Sequence, residues 1–502
     1  MKSLRKTSQR PGRVRLLIAL VSVLPLTGAV GCAPELGNDP PPDFFEFDTE
    51  TARIPEPTIA AVNQTTGMLD FSPLGIIVPK GPGACVGTTD FVIDGAPSVA
   101  ECEFFQFLET LDGYPTLSPA RAPVSAPIDM STLTFAGEPD DNLAVVGMGG
   151  KITDLVVTYD EVNDYVVVDN PVGWDVGSLY VAGIRGYDNG VTTADGGRVV
   201  ASVIYNLLKR EESLLDCDPD DPLPDPTDLA DPESVLDIEC KYYELLDSMY
   251  EVAIPADTQR HATVVGLLIS LEKLRQGFIG DGTFGVWGMT ELLGGIPKAE
   301  AAVAWAFPIH SQSVVELQPA LGMVPVPEGN NALRVAFKGT IDASSLVPFF
   351  FNPMDATVYL LNATLLLGAA NVDPAAIVRF TPTVEGRDIV ITAQNDFTDG
   401  HRYVMAMIVK ENVDDPHAGV TDAEGRPFVP SPVTVFLRSR GELADADGIS
   451  RVSKMDDATA AYAEENRVAL LELFEHELWP SLTENLVREN VAYVFAFDYV
   501  AP

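Results

Sequence analysis

The chain has 502 residues, with 32 Lys and Arg against 73 Asp and Glu, a formal net charge of −41 at neutral pH. Nucleic acid is excluded as a partner, because phosphate binding needs a basic footprint. At 46% hydrophobic residues the chain can bury real cores, and its length leaves room for about two to four domains.

Residues 1–31 read as a lipoprotein signal peptide. Lys2, Arg5, Lys6, Arg10, Arg13 and Arg15 form a basic start, and Leu16 to Leu26 is an apolar stretch too short to span a bilayer comfortably. It closes at Ala29-Val30-Gly31-Cys32, which resembles the lipobox of bacterial lipoproteins, with Ala29 where Leu is usual. The resemblance implies that Cys32 is acylated and becomes the N-terminus. Ala33, not Asp, follows it. In Gram-negative lipoproteins this implies lipid anchoring in the cell outer membrane, on its periplasmic face or at the cell surface. The competing expectation is an ordinary secretory leader cleaved nearby. The greasiest later window, Val347 to Val372, is interrupted by Pro348, Asn352, Pro353 and Asp355. The N-terminal lipid is therefore the expected link to the membrane.

Residues 32–57 read as a proline-rich acidic tether. Pro40, Pro41, Pro42, Pro55 and Pro57 stiffen it, and Asp39, Asp43, Glu46, Asp48 and Glu50 extend it by repulsion. From there the chain reads as one β-rich unit used twice. Trp174-x-x-Gly177-x-x-Tyr180 returns as Phe397-x-x-Gly400-x-x-Tyr403. Gly190-Val191-Thr192, leading to Gly196, returns as Gly419-Val420-Thr421, leading to Gly425. Upstream, Ile128-Asp129 with Leu133 returns as Ile341-Asp342 with Leu346. Downstream, each copy passes an acidic loop and a helix, near Ala262 to Gln276 and Ala458 to Leu478. Each then reaches a last strand, Val303-Ala-Trp305-Ala-Phe307 or Val491-Ala-Tyr493-Val-Phe495-Ala-Phe497. On the second helix, Val468, Leu471, Phe474 and Leu478 are the expected apolar face.

Short strands separated by Gly, Pro and Asp turns predict a mainly β fold with helical insertions. The expected architecture is two tandem Ig-like β-sandwich units, each with a helix before its last strand. The first covers 58–312 with its insertion at about 209–297. The second covers 313–502 with its insertion at about 441–487.

Five cysteines divide as Cys32 plus two spaced pairs, Cys85 with Cys102 and Cys217 with Cys240. Four cysteines allow three pairings, and local pairing is expected in an oxidising compartment. No CxxC or Cys–His spacing supports the rival reading, a zinc site.

The module resembles the bacterial Ig-like domains of cell-surface proteins. Residues 68–312 also resemble the N-terminal, non-catalytic region of bacterial virulence-factor lipases. The residues that carry this are Phe71-Ser-Pro, Val78-Pro79, Leu111-Asp112-Gly113-Tyr114-Pro115-Thr116, Ile128-Asp129 with Leu133, and Val303-Ala-Trp305-Ala-Phe307. The sequence departs from that pattern at Cys85–Cys102 and in the acidic Cys217–Cys240 loop. The hydrolase domain that follows in those lipases has no expected place here, since Phe497 lies five residues from the end.

Little reactive chemistry is legible. No serine sits in a G-x-S-x-G elbow; Ser450 has Gly448 before it but Val452 after it. His261, His310, His401, His417 and His476 form no HExxH or HxH pattern. Asp216, Asp218, Asp220 and Asp221 are the candidate metal ligands, with calcium as the ion, because calcium takes six to eight oxygens. The EF-hand pattern fails there, and the many prolines suit a solvated run. Asp445-Ala-Asp447-Gly448 is a weaker echo that reads as a turn. Trp174, Tyr180, Phe397 and Tyr403 could stack on a glycan, but repetition at one structural position points to core. Gly177, Gly190, Gly196, Gly400, Gly419 and Gly425 read as turn glycines needing positive φ.

The expected role is a non-catalytic binding, adhesion or assembly module with a protein or glycan ligand and no required cofactor. One alternative is an accessory or remnant subunit of a surface lipase or esterase system lacking its own α/β-hydrolase domain. The other is an enzyme with its site in the helical insertions.

Overall fold

The computed structural model describes residues 43–46, 54–215, 258–311, 315–317, 326–350, 356–367, 373–409, 419–474 and 488–501, with short breaks at 64, 75, 90, 94, 139, 162, 212, 281–284, 338–339 and 454. In chain order the elements are β1 (Asp43–Phe45), β2 (Val92–Ile93), β3 (Ala96–Pro97), α1 (Val99–Leu108), β4 (Ala120–Pro123), β5 (Leu143–Gly147), β6 (Gly150–Lys151), β7 (Val156–Asp160), β8 (Tyr165–Asp169), β9 (Leu179–Arg185), β10 (Val199–Ala201), α2 (Val203–Leu208), α3 (Thr258–Ile279), α4 (Val286–Leu292) and β11 (Ala301–Pro308). They continue with β12 (Val315–Leu317), β13 (Val326–Glu328), β14 (Ala332–Ala336), β15 (Val358–Asn362), α5 (Ala363–Leu367), β16 (Phe380–Glu385), β17 (Asp388–Ala393), β18 (Arg402–Ile408), β19 (Phe428–Pro430), α6 (Pro432–Leu437), α7 (Asp457–Phe474) and β20 (Val491–Asp498). The fold is mainly β, in several small sheets, with helices between them. Among the described residues, no helix is long and apolar enough to cross a membrane.

Two compact units form, one from Met1–Phe47, Val124–Ala144 and Gly183–Ala304, the other from Asp48–Pro123, Val145–Ala182 and Trp305–Pro502. In the first, β1 runs parallel to β10, with Asp43 opposite Val199 and Phe45 opposite Ala201. Within the 32–57 stretch read as a tether, residues 43–45 thus pair as a strand. Proline and repulsive acids favour an extended chain, but so does a strand, and buried Phe45 gives this stretch an apolar anchor. Ser202 caps α2 by accepting from the Tyr205 amide at 3.3 Å. On α4, the Trp287 indole donates to the Leu208 carbonyl at 3.0 Å and its ring meets Phe278 at 5.2 Å.

In the second unit, β13-β14-β17-β16 form one antiparallel sheet and β15-β18-β20 another. Between them lies a core that includes Leu333, Val335, Phe337, Leu360, Ile389, Ile391, Met405, Met407, Tyr493 and Phe497. Alternation along the strands puts these side chains on one face. β12 pairs in parallel with β19, the same relation that β1 has to β10. β4-β8-β7 form a third sheet.

α1 begins at Val99, where Ser98 caps it by accepting from the Glu101 amide at 3.3 Å. One helix departs in part from the sequence reading. On α7 the buried positions are Ala460, Arg467, Leu470 and Phe474, while Val468 is 44% exposed. The expected face holds at Phe474 and fails at Val468, because an arginine, paired with a carboxylate, occupies the inner face; Leu478 lies outside the described residues.

Candidate functional site

Three arrangements of side chains recur in the two stretches that the sequence pairs. The first is an aromatic corner. Trp174 lies 4.9 Å from Tyr180, which stacks on Phe307 at 5.7 Å. In the second copy Phe397 lies 4.8 Å from Tyr403, which stacks on Phe497 at 5.6 Å. The Tyr180 hydroxyl accepts from the Asp175 amide at 3.0 Å, and the Tyr403 hydroxyl from the Thr398 amide at 2.8 Å. These rings are buried, as a tyrosine corner requires. Burial holds the Tyr180 hydroxyl above the ordinary tyrosine range. The four aromatics are core and offer no stacking surface. Gly177 and Gly400 have φ of +71° and +74°, and their amides donate to the His310 and Tyr499 carbonyls. Gly190 is the exception among the turn glycines. Its φ is negative, and it is glycine because a Cβ would lie 2.3 Å from the Arg185 carbonyl oxygen.

The second recurring feature is an Asp turn. Asp129 and Asp342 each accept from the amide two residues on, both at 2.9 Å. Their own amides donate to the Thr192 and Thr421 carbonyls, again both at 2.9 Å. The Thr192 and Thr421 amides answer by donating to Thr132 Oγ1 and Ser345 Oγ at 3.1 Å. The Ser131 hydroxyl, donating to Asp129 at 2.7 Å, and then the Ser131 amide hold the Asp129 carboxyl below the ordinary range.

The third is a clamp in each helical insertion. Arg275 and Glu272 on α3 bond through Nη2–Oε1 at 2.6 Å and Nε–Oε2 at 2.8 Å. Arg467 and Glu464 on α7 repeat both distances. Each glutamate also accepts a loop amide at 2.8 Å, from Leu214 or Leu443. Each arginine also reaches a carbonyl just past the short helix, Arg210 at 3.0 Å or Ser439 at 3.2 Å. Burial pulls the Glu464 carboxyl up, but the bonds from Arg467 and the Leu443 amide outweigh it and hold it low. A second cation fixes the last strand. Lys209 Nζ donates to the Ala301 carbonyl at 2.5 Å, and Arg438 Nη1 to the Val491 carbonyl at 2.8 Å. Burial, with Lys298 nearby, pushes Lys209 down to about 8.

The sequence reading missed both clamp and cation. The signal was present as Glu-x-x-Arg on each helix, and as Lys209 and Arg438 at one distance from the capping serines Ser202 and Ser431. An alignment of apolar positions passes over them.

The predicted site residues fare unequally. Cys85 and Cys102 are joined by a disulfide, with Cα atoms 5.7 Å apart. Cys32 and the leader, Cys217, Cys240 and the aspartates Asp216, Asp218, Asp220 and Asp221 lie outside the described residues, as do His417, His476 and the His261 side chain. His310 is buried with Nδ1 2.9 Å from the Ser311 carbonyl. His401 Nδ1 lies 2.9 Å from Asn362 Nδ2. Ser450 is buried and donates to the Val452 carbonyl at 2.8 Å. Asp445 accepts from the Asp447 and Ile449 amides, at 3.0 and 2.9 Å, as a turn residue does. Among the described residues, no three His, Cys, Asp or Glu side chains are grouped to hold a metal ion.

No protein-family model and no curated protein matches this chain. Among solved structures it is similar to surface-layer protein SbsC, domains 1–6, at a TM-score of 0.17 and 11% identity, over 37% of this chain and 21% of that one. The N-terminal part of the bacterial S-layer protein SbsC gives 0.16 and 11%, over 38% and 48%. The S-layer protein rSbsC(31-844) gives 0.17 and 11%, over 41% and 30%. The chain thus matches less than half the length of each of these proteins, and superpositions at this level do not establish a common fold.

Proposed function

We propose that this chain is a lipid-anchored cell-surface protein of two tandem Ig-like modules, acting by binding, adhesion or assembly and not by catalysis. Strand order supports the sandwich reading. In the second copy β13-β14-β17-β16 follows the A-B-E-D order of an Ig sheet, and β15-β18-β20 follows C-F-G. The last strand arrives after α6 and α7, as the helical-insertion reading requires. The anchored reading rests on the leader and Cys32.

One observation carries the non-catalytic reading. Among the described residues, what recurs between the copies is framework: a buried aromatic corner, a surface Asp turn, a Glu–Arg clamp and a strand-end cation. A duplicated enzyme would be expected to repeat a nucleophile and base, and among the described residues no such pair recurs. The test is to assay the mature chain on short-chain nitrophenyl esters and lysophospholipids, with and without calcium. The expected result is no turnover that a single Ser, Asp or His substitution abolishes. Turnover above ~0.1 per second that one such substitution removes would overturn the proposal, since enzymes run at roughly 1 to 1,000 per second.

A further inference from the structure

Helix α1 makes a set of contacts with residues 436–455, all inside one compact unit. The Ser98 hydroxyl donates to the Arg451 carbonyl. Glu103 accepts from Ser439 Oγ at 2.8 Å, the Arg440 amide at 2.9 Å and the Arg440 guanidinium at 3.0 Å. Phe104 stacks on Phe436 at 4.8 Å. The approach is closest at Gly441, where a Cβ would lie 2.3 Å from the Ala100 amide nitrogen.

Glu101 stands out in this contact. It is only 8% exposed, and its carboxylate accepts from the Ser453 hydroxyl. The cations that face this side of α1 have other partners. Arg440 bonds Glu103 and Glu489, Arg451 lies 3.5 Å from Asp445, and Arg467 is held by Glu464. Among the described residues, no cation pairs with Glu101. A buried carboxylate without a cation is costly in its charged form.

We propose that α1 is a pH-graded clasp, closing most tightly on residues 436–455 when Glu101 is protonated and loosening as it ionises. Burial raises this carboxyl above its ordinary range, and the Ser453 bonds only partly offset the effect. A group with a raised folded pKa contributes stability that is fully present below its unfolded value. That contribution is lost as pH rises through the folded value. Across this window the opening constant climbs by up to about tenfold per pH unit, one proton's effect, and then levels.

The experiment is amide hydrogen exchange on the full chain between pH 4.5 and 8, corrected for intrinsic rates, read at Arg440 and Gly441. Protection in the wild type should fall as pH rises across the range and then level. Glu101→Gln should hold its protection flat at the acid level. A flat wild-type profile, or a Glu101→Gln profile with the wild-type slope, would overturn the proposal. Should Glu101→Gln fail to fold, Ser453→Ala serves instead. Removing the hydroxyl should move the transition to higher pH, and an unmoved transition would overturn the proposal equally.

Discussion

Truncating the equivalent aromatics of the two last strands, Phe307→Ala and Phe497→Ala, should cost similar amounts. Phe307 is 0% and Phe497 7% exposed, and each stacks on the tyrosine of its own corner. A buried Phe→Ala change costs about 3–5 kcal/mol. A typical domain has only about 5–15 kcal/mol to lose. In a module of this size 1 kcal/mol shifts the melting temperature by about 2–4 °C, so each variant should melt about 6–20 °C lower. Phe495 is only partly buried, so Phe495→Ala should cost clearly less. The assay is calorimetry of the mature chain, with near-ultraviolet circular dichroism as a second probe. If either truncation costs less than about 1 kcal/mol, the two strands are not equivalent core members and the duplication is misread.

The remaining expectations follow from the same contacts. Gly441→Ala forces a Cβ against the Ala100 backbone, so it should cost about 1–3 kcal/mol and raise hydrogen exchange at residues 98–104. Arg467 is 3% exposed, and Arg467→Ala strands Glu464, a loss of about 3–5 kcal/mol measurable by urea unfolding. Arg275→Ala should behave alike. Non-reducing peptide mapping should recover Cys85 joined to Cys102, and separately Cys217 to Cys240; a loop of the first size contributes about 3 kcal/mol in the chain-entropy view. Crossed pairing or free thiols in exported protein would contradict this.

The repeat was legible because its markers are local and chemically distinctive. An aromatic, a glycine with positive φ and a tyrosine occupy fixed places in each corner, and an Asp opens each turn. The Glu–Arg clamps within the helical insertions and the contact of α1 were not legible, for two physical reasons. Buried arginines such as Arg275 and Arg467 are written as surface residues in any apolar pattern, and only their partners Glu272 and Glu464 reveal them. The contact between Phe104 and Phe436 joins residues hundreds of positions apart, with no periodicity to announce it. Asp43–Phe45 failed differently: proline and acid content marks extension, and cannot tell a tether from a strand until Phe45 finds its core.

The central claim, a surface protein held by its N-terminal lipid, is tested most directly by fractionating cells that express the wild type or Cys32→Ser. The wild type should sediment with outer membranes through a high-salt wash and incorporate labelled fatty acid. Cys32→Ser should take up no label and appear in the soluble fraction or as unprocessed precursor. A processed Cys32→Ser chain that still sediments with outer membranes after the wash would contradict the account.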